Sequence, residues 1–145
     1  MKKYLVIGNP IEHSQSPLIH NYWMKKYRLL GSVYEKRKAE KKDLKKIIEE
    51  IKDGKIVGVN VTVPFKKLII PYLDELDKAA RDTQSVNTLH KVGNKIIGYN
   101  TDTTGFLKTI HKIYESQPPW SFHFFIFISH TFSMGVETTA KLTFF

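Results

Sequence analysis

Short apolar runs alternate with amphipathic stretches from residue 4 to about residue 114. Residues 4–7, 33–37 and 56–63 predict strands, and the third run has valine at every second position, which makes one of its faces apolar. Helices are predicted from about residue 41 to 52 and from residue 101 onward, because apolar side chains recur there every three or four positions. Strands that alternate with helices are typical of an α/β domain with a largely parallel sheet.

Another helix is predicted after the first strand, beginning in the sequence Ser-Gln-Ser-Pro. Ser14 or Ser16 is expected to cap this helix, with Pro17 at its first position. An apolar stripe at helical spacing normally faces the core of a domain. Here the stripe consists of Leu18, Ile19, Tyr22, Trp23 and Tyr27.

A hairpin is predicted near the end of the domain. Residues 66–81 are predicted to be helical, with a break near Pro71. Residues 86–92 and 95–99 then flank Gly93-Asn94, a two-residue signal for a type II′ turn. The hairpin adds one antiparallel strand. We therefore predict a three-layer α-β-α domain whose sheet is mostly parallel.

The composition is that of a folded domain from a reducing compartment. The 145 residues are 41% hydrophobic and 26% charged, and the absence of cysteine excludes a disulfide scaffold, thiol catalysis and a cysteine-ligated metal. The six histidines show no metal-ligand spacing, so no metal site is predicted. The apolar run after the first three residues is too short for a secretion signal, and we therefore expect a cytoplasmic protein.

The net charge of +9 does not by itself indicate a nucleic-acid partner. Residues 36–55 carry nine Lys or Arg but also five Asp or Glu, and no aromatic side chains are interleaved among them. Their apolar residues fall at helical spacing, so the charges are interpreted as the solvated face of a helix. A small anionic substrate would account for part of the positive potential.

The last 30 residues differ sharply from the rest of the chain. They contain seven of the nine phenylalanines and only two charged side chains, Glu137 and Lys141. Pro118 and Pro119 interrupt the apolar stretch, which makes it a poor membrane helix, and no membrane association is predicted. We predict one domain over residues 1–114 and interpret residues 115–145 as an atypical tail, such as a truncated or frame-shifted gene would encode.

Polar side chains cluster where the predicted strands end, which is where ligands bind to α/β sheets, and one more, Asn87, lies on a later strand. Hydroxyl and amide groups in this number suit a ligand with several hydroxyls, while a lysine and an aspartate supply a cation and an anion. The candidates are Ser14, Ser16, Asn60, Thr62, Lys66, Asn87 and Asp102, with Asn100 and Thr101 beside the last. The two serines also have a purely structural interpretation, as helix caps.

Four stretches carry a resemblance to a known family. They are residues 8–17 (GNPIEHSQSP), 58–66 (GVNVTVPFK), 86–88 (VNT) and 98–106 (GYNTDTTGF). In this order and spacing the chain resembles the shikimate dehydrogenase family, specifically its N-terminal substrate-binding domain. The resemblance extends over about residues 4–114.

The resemblance implies an activity and a role for each candidate residue. The family reduces 3-dehydroshikimate reversibly to shikimate with NADP, on the path to chorismate and the aromatic amino acids. Ser14 and Ser16 would hold the substrate carboxylate, and Lys66 and Asp102 would form the catalytic pair. The ring hydroxyls would be bound by Asn60, Thr62, Asn87 and Asp102.

The chain departs from the family pattern in two places. Thr83-Gln84-Ser85 stands where the family usually has small residues such as Gly-Ala. Beyond about residue 114 the family continues into a Rossmann domain and ends in a helix that packs back on the first domain. No G-x-G-x-x-G loop follows a strand in this sequence. NADP is thus implied by the family, while no cofactor-binding residue is predicted in this chain.

Three hypotheses for function remain open. The chain is the substrate-binding part of shikimate dehydrogenase, or a module that binds shikimate or quinate without catalysis, or a non-functional truncated fragment. In the first two the partner is a small molecule, shikimate or 3-dehydroshikimate. Shikimate binding separates these two from the third, and activity restored by a Rossmann domain separates the first from the second.

Overall fold

The structure is a computed structural model that describes residues 1–115, with side chains to residue 112. The chain divides into two compact units, residues 1–106 and residues 107–145. The first unit contains the sheet described below. Of the second unit, the described part is the helical segment 107–115. The predicted aromatic tail at 115–145 lies outside the described residues, apart from its first residue.

Six strands form one mixed sheet in the order β2-β1-β3-β5-β6-β4. β1 pairs in parallel with both β2 and β3, and β6 pairs in parallel with β4. β5 runs antiparallel to both of its neighbours, β3 and β6, so one strand of the sheet is reversed. The strands are β1 (Lys2–Gly8), β2 (Ser32–Lys38), β3 (Gly58–Val61), β4 (Glu75–Leu76), β5 (Thr88–Val92) and β6 (Lys95–Tyr99).

The described part of the chain has five α-helices and two 3₁₀ turns, and all of them except the last helix lie between strands. The 3₁₀ turns span Lys41–Asp43 and Ile70–Tyr72. The α-helices are α1 (Ser16–Lys26), α2 (Leu44–Lys52), α3 (Phe65–Leu68), α4 (Lys78–Thr83) and α5 (Thr101–Glu115). No helix within residues 1–115 is long and apolar enough to cross a membrane.

The sheet has an apolar core on each face, which follows from the alternation of side chains along β1. Leu5 and Ile7 point to the larger core, whereas Val6 points to a smaller core shared with Tyr34 of β2. The larger core receives the apolar face of α2, formed by Leu44, Ile47, Ile48 and Ile51. This arrangement confirms the predicted α/β fold, with a mostly parallel sheet and one antiparallel strand from the hairpin.

The hairpin connects β5 and β6, as predicted. Gly93 has φ +60°, the left-handed conformation that a type II′ turn requires at its first central position. The predicted helix over residues 66–81 is wrong in its middle. After Pro71 the chain forms β4, which pairs with β6, and the Asp74 carboxylate accepts the amide of Ile96 at 2.7 Å. A two-residue strand at a sheet edge has no periodic pattern of its own.

The expected burial of the apolar stripe on α1 is also wrong. None of its residues is buried, and Leu18 is 71% exposed. The helix is attached through polar and ring contacts instead. Asn21 donates to the Tyr34 carbonyl at 2.8 Å and accepts the Tyr34 amide at 2.9 Å, while the His20 ring stacks on the Tyr34 ring at 4.2 Å.

The backbone conformation of Gln84 provides a test of the fold. It follows α4 with φ +49° and ψ +40°, a left-handed conformation that costs a residue with a Cβ about 1–2 kcal/mol. We predict that Gln84→Gly raises the free energy of unfolding by about 1 kcal/mol in a urea melt. Lys45→Gly, on the exposed side of right-handed helix α2, is the control and should lower it by about the same amount. A loss of stability in both variants would contradict the left-handed conformation at Gln84.

Candidate functional site

A polar cavity of about 270 Å³ lies where the carboxyl ends of β1, β3 and β6 meet. A second cavity of about 330 Å³ adjoins it and shares Val6, Ser16 and Thr62 with it. Ser14 lines the second cavity. The predicted residues that line the first cavity are Ser16, Asn60, Thr62, Lys66, Asn87 and Asp102. The structure therefore brings all seven candidates to one edge of the sheet.

An ion pair lies at the wall of the first cavity. Lys66 is in the first turn of α3, shortly after β3, and Asp102 is in the first turn of α5, shortly after β6. The Lys66 Nζ lies 2.6 Å from the Asp102 Oδ2, although the two residues are 36 positions apart in sequence. The hydrogen bond from Lys66 holds the pKa of the Asp102 carboxyl below its usual value, against the opposing effect of partial burial, with Asn87 adding to the lowering.

Amide and hydroxyl groups form a connected wall beside this pair. The Asn60 Nδ2 donates to the Thr88 Oγ1 at 3.0 Å, and the Thr88 hydroxyl donates to the Asn87 Oδ1 at 3.0 Å. The same Asn87 oxygen accepts the backbone amide of Thr101 at 3.0 Å. Asn87 is only 8% exposed, so these bonds satisfy a carboxamide that would otherwise be costly to bury.

Neither serine is the N-cap residue of α1, which corrects the structural interpretation offered by their sequence position. The N-cap residue is Gln15, whose own side chain makes no capping hydrogen bond. The Ser14 Oγ accepts the Ser16 amide at 3.4 Å, a long contact. Both hydroxyls line the cavities, where they are available to a ligand.

His20 and Tyr34 were not predicted to belong to the site. His20 packs on Tyr34 and also lines the polar cavity. Burial lowers the pKa of its imidazole. Tyr34 reaches the site through its hydroxyl, which donates to the Asn60 Oδ1 at 2.6 Å. Asn100, a weaker candidate, has a structural role, because its carboxamide bonds the Ser85 carbonyl and the Thr103 amide.

Comparison with known proteins identifies the family of this site. The model of the shikimate dehydrogenase substrate binding domain matches residues 6–89. The chain belongs to this family. A shikimate dehydrogenase (NADP(+)) of Pelagibacter ubique is 53% identical over 111 residues, which cover 77% of this chain and 42% of that protein.

Solved shikimate dehydrogenases share the fold. A crystal structure in complex with NADP+ has a TM-score of 0.71 and 41% identity, over 77% of this chain and 39% of the other. One from Thermus thermophilus, with NADP(H) and shikimate, has a TM-score of 0.70 and 30% identity, over 77% of this chain and 42% of the other. The chain thus spans about two fifths of the length of these relatives.

The described residues do not fit the cofactor that these shikimate dehydrogenases are named for. A dinucleotide is held by a glycine-rich loop between a strand and the N-terminus of a helix. The glycines of residues 1–112 follow no such spacing, and Gly93 lies in the hairpin turn.

The ion pair predicts a change in titration. Because the folded pKa of Asp102 is lowered, the pair stabilises the fold above the unfolded pKa, and this contribution is lost as the pH falls through the folded value. We predict that Lys66→Met moves the pKa of Asp102 up towards its usual value in an NMR titration.

Glu12 is the internal control for this titration. Its pKa is lowered by backbone amides, including the Ile11 N–H at 2.9 Å, and should not move in the variant. An unchanged pKa for Asp102 would show that the pair does not form in solution.

Proposed function

We propose that this chain binds shikimate and 3-dehydroshikimate as the substrate-binding part of an NADP-dependent shikimate dehydrogenase. The observation that carries the proposal is the Lys66–Asp102 ion pair, placed at the wall of a cavity lined with hydroxyls and carboxamides. A cation next to several short polar groups suits a small ring that carries hydroxyls and one oxidisable carbinol. The cytoplasm, where no disulfides are needed, is the location that we propose with this function.

The substrate carboxylate is assigned to the Ser14 and Ser16 end of the site. Both hydroxyls can donate to a carboxylate oxygen, and the N-terminus of the 11-residue helix α1 begins at Ser16. The helix dipole favours an anion at this end of a helix. The carboxylate then lies in the second cavity, and the ring extends into the first.

The ring hydroxyls are assigned to the connected polar wall. Asn60, Thr62, Asn87 and Asp102 line the same cavity, and together they offer both donors and acceptors to neighbouring hydroxyls. A ring that lacks the matching hydroxyl binds less well to such a wall, because it leaves the hydrogen-bonding groups of the wall unpaired. The wall therefore supplies specificity for a polyhydroxylated ring.

Lys66 is assigned the proton transfer. Conversion between a secondary alcohol and a ketone would pass a hydride between the carbinol carbon and NADP, and it moves one proton on or off the oxygen. Negative charge builds up on that oxygen during the reaction. An ammonium within hydrogen-bond reach stabilises this charge and carries the proton. Asp102, at 2.6 Å, fixes the position of the Lys66 Nζ and can accept a hydrogen bond from a substrate hydroxyl.

A chimera tests this proposal. Residues 1–106 of this chain, joined to the remainder of the Pelagibacter ubique relative, should reduce NADP+ with shikimate. We predict that Lys66→Met lowers the kcat of the chimera by about 100- to 10,000-fold, the usual contribution of acid–base catalysis, with a much smaller change in KM. Lys67→Met, at the exposed neighbouring position, is the matched control and should leave both constants unchanged.

Two results would count against the proposal. A rise in KM for Lys66→Met with kcat unchanged would show that the lysine only binds substrate. A chimera that binds shikimate but has no turnover would favour the alternative of a shikimate- or quinate-binding module.

A further inference from the structure

The buried phenol of Tyr34 contacts the site but has no place in the chemistry assigned above. Tyr34 lies on β2, and its side chain is only 4% exposed in the smaller core. Its hydroxyl nevertheless reaches the polar wall, where it donates to the Asn60 Oδ1 at 2.6 Å. A tyrosine in an apolar core destabilises the fold unless its hydroxyl makes a hydrogen bond.

The Tyr34 ring is fixed in one position by helix α1. The Asn21 carboxamide holds the Tyr34 backbone through two hydrogen bonds. Its nitrogen donates to the Tyr34 carbonyl, and its oxygen accepts from the Tyr34 amide. The His20 ring stacks on the Tyr34 ring with an interplanar angle of 6°. These contacts leave the hydroxyl little freedom to choose another partner.

The contacts of Asn60 fix which end of its carboxamide faces which neighbour. Its Nδ2 lies 3.4 Å from the Asn87 carbonyl oxygen and 3.0 Å from the Thr88 Oγ1. A backbone carbonyl can only accept, so the atom next to it must be the nitrogen. Both hydrogens of that nitrogen are then directed at acceptors within the protein, one of them over a long contact of 3.4 Å. The group that Asn60 can still offer to a ligand is the second lone pair of Oδ1.

The direction of the Tyr34 bond is equally fixed. Burial raises the pKa of Tyr34 to about 12, so its hydroxyl keeps its proton at any pH where the protein functions. A protonated phenol next to a carboxamide oxygen must donate. The Thr88 hydroxyl accepts a hydrogen bond from Asn60 and donates one to the Asn87 Oδ1. The hydrogen bonds from Tyr34 to Asn87 along the wall therefore all have a defined donor and acceptor.

We propose that Tyr34 is a positioning residue, whose hydroxyl locks the Asn60 carboxamide so that Asn60 meets the ligand only as a hydrogen-bond acceptor. This inference rests on the proposed function, because it concerns the same cavity. It predicts that the ring hydroxyl next to the Asn60 Oδ1 donates its hydrogen to that oxygen. A ring with a keto or methoxy group at that point is rejected, because Asn60 has no hydrogen to give it.

Shikimate affinity of the full chain, measured by calorimetry, is the first test. Tyr34→Phe keeps the ring stack and removes the hydroxyl, and we predict a rise in Kd of about three- to tenfold, as expected for one hydrogen bond. Tyr4→Phe, on the neighbouring strand β1, is the matched control and should leave Kd unchanged. In an Asn60→Ala background, Tyr34→Phe should have no further effect, because it acts through Asn60. Losses that multiply in the double variant would overturn the proposal.

NMR of the ligand-free chain gives a second test. It requires neither shikimate binding nor a correctly folded Asn60→Ala variant. Tyr34→Phe should shift the side-chain amide signals of Asn60 and leave those of Asn21 in place, since Asn21 bonds only the backbone of Tyr34. Unmoved Asn60 signals, or equal shifts at both residues, would overturn the positioning role. Failure of the wild-type chain to bind shikimate would instead contradict the proposed function and leave this NMR result to decide the inference.

Discussion

The ion pair between Lys66 and Asp102 depends on the direction of the strands. Lys66 follows β3 and Asp102 follows β6, and two such residues meet only if the two strands end at the same edge of the sheet. The strand β5 runs antiparallel to both β3 and β6. Because β5 is reversed, β3 and β6 run parallel to each other and end on the same side of the sheet. The short hairpin turn at Gly93 is therefore part of what brings the cation and the anion together.

The polar groups beside the cavity bond each other, and this satisfies the buried carboxamides of Asn87 and Asn100. Among the described residues, no buried side-chain nitrogen or oxygen lacks a hydrogen-bond partner. Asn87 holds the turn into α5 through the Thr101 amide, and Asn60 holds Thr88 on the reversed strand. The wall is thus connected before any ligand arrives, which reduces the reorganisation that binding requires.

The sequence predicts well what depends on local patterns and poorly what depends on a distant partner. The buried face of α2 and the hairpin follow from spacing and turn chemistry within about ten residues. β4 pairs with β6, which lies about 20 residues further along the chain. Helix α1 contacts the sheet through Asn21, His20 and Met24, while its apolar stripe is exposed. The site candidates came from their positions after strands and from the family resemblance, whereas Tyr34 bonds Asn60 across 26 positions with no sequence signal.

A crystal structure of this chain with shikimate tests the central claim most directly. The account predicts the carboxylate at the hydroxyls of Ser14 and Ser16, and one ring hydroxyl within hydrogen-bond distance of both Lys66 and Asp102. A ring bound in the reverse direction, with its carboxylate on Lys66, would contradict the assigned proton transfer. Shikimate bound outside the cavity would contradict the site itself.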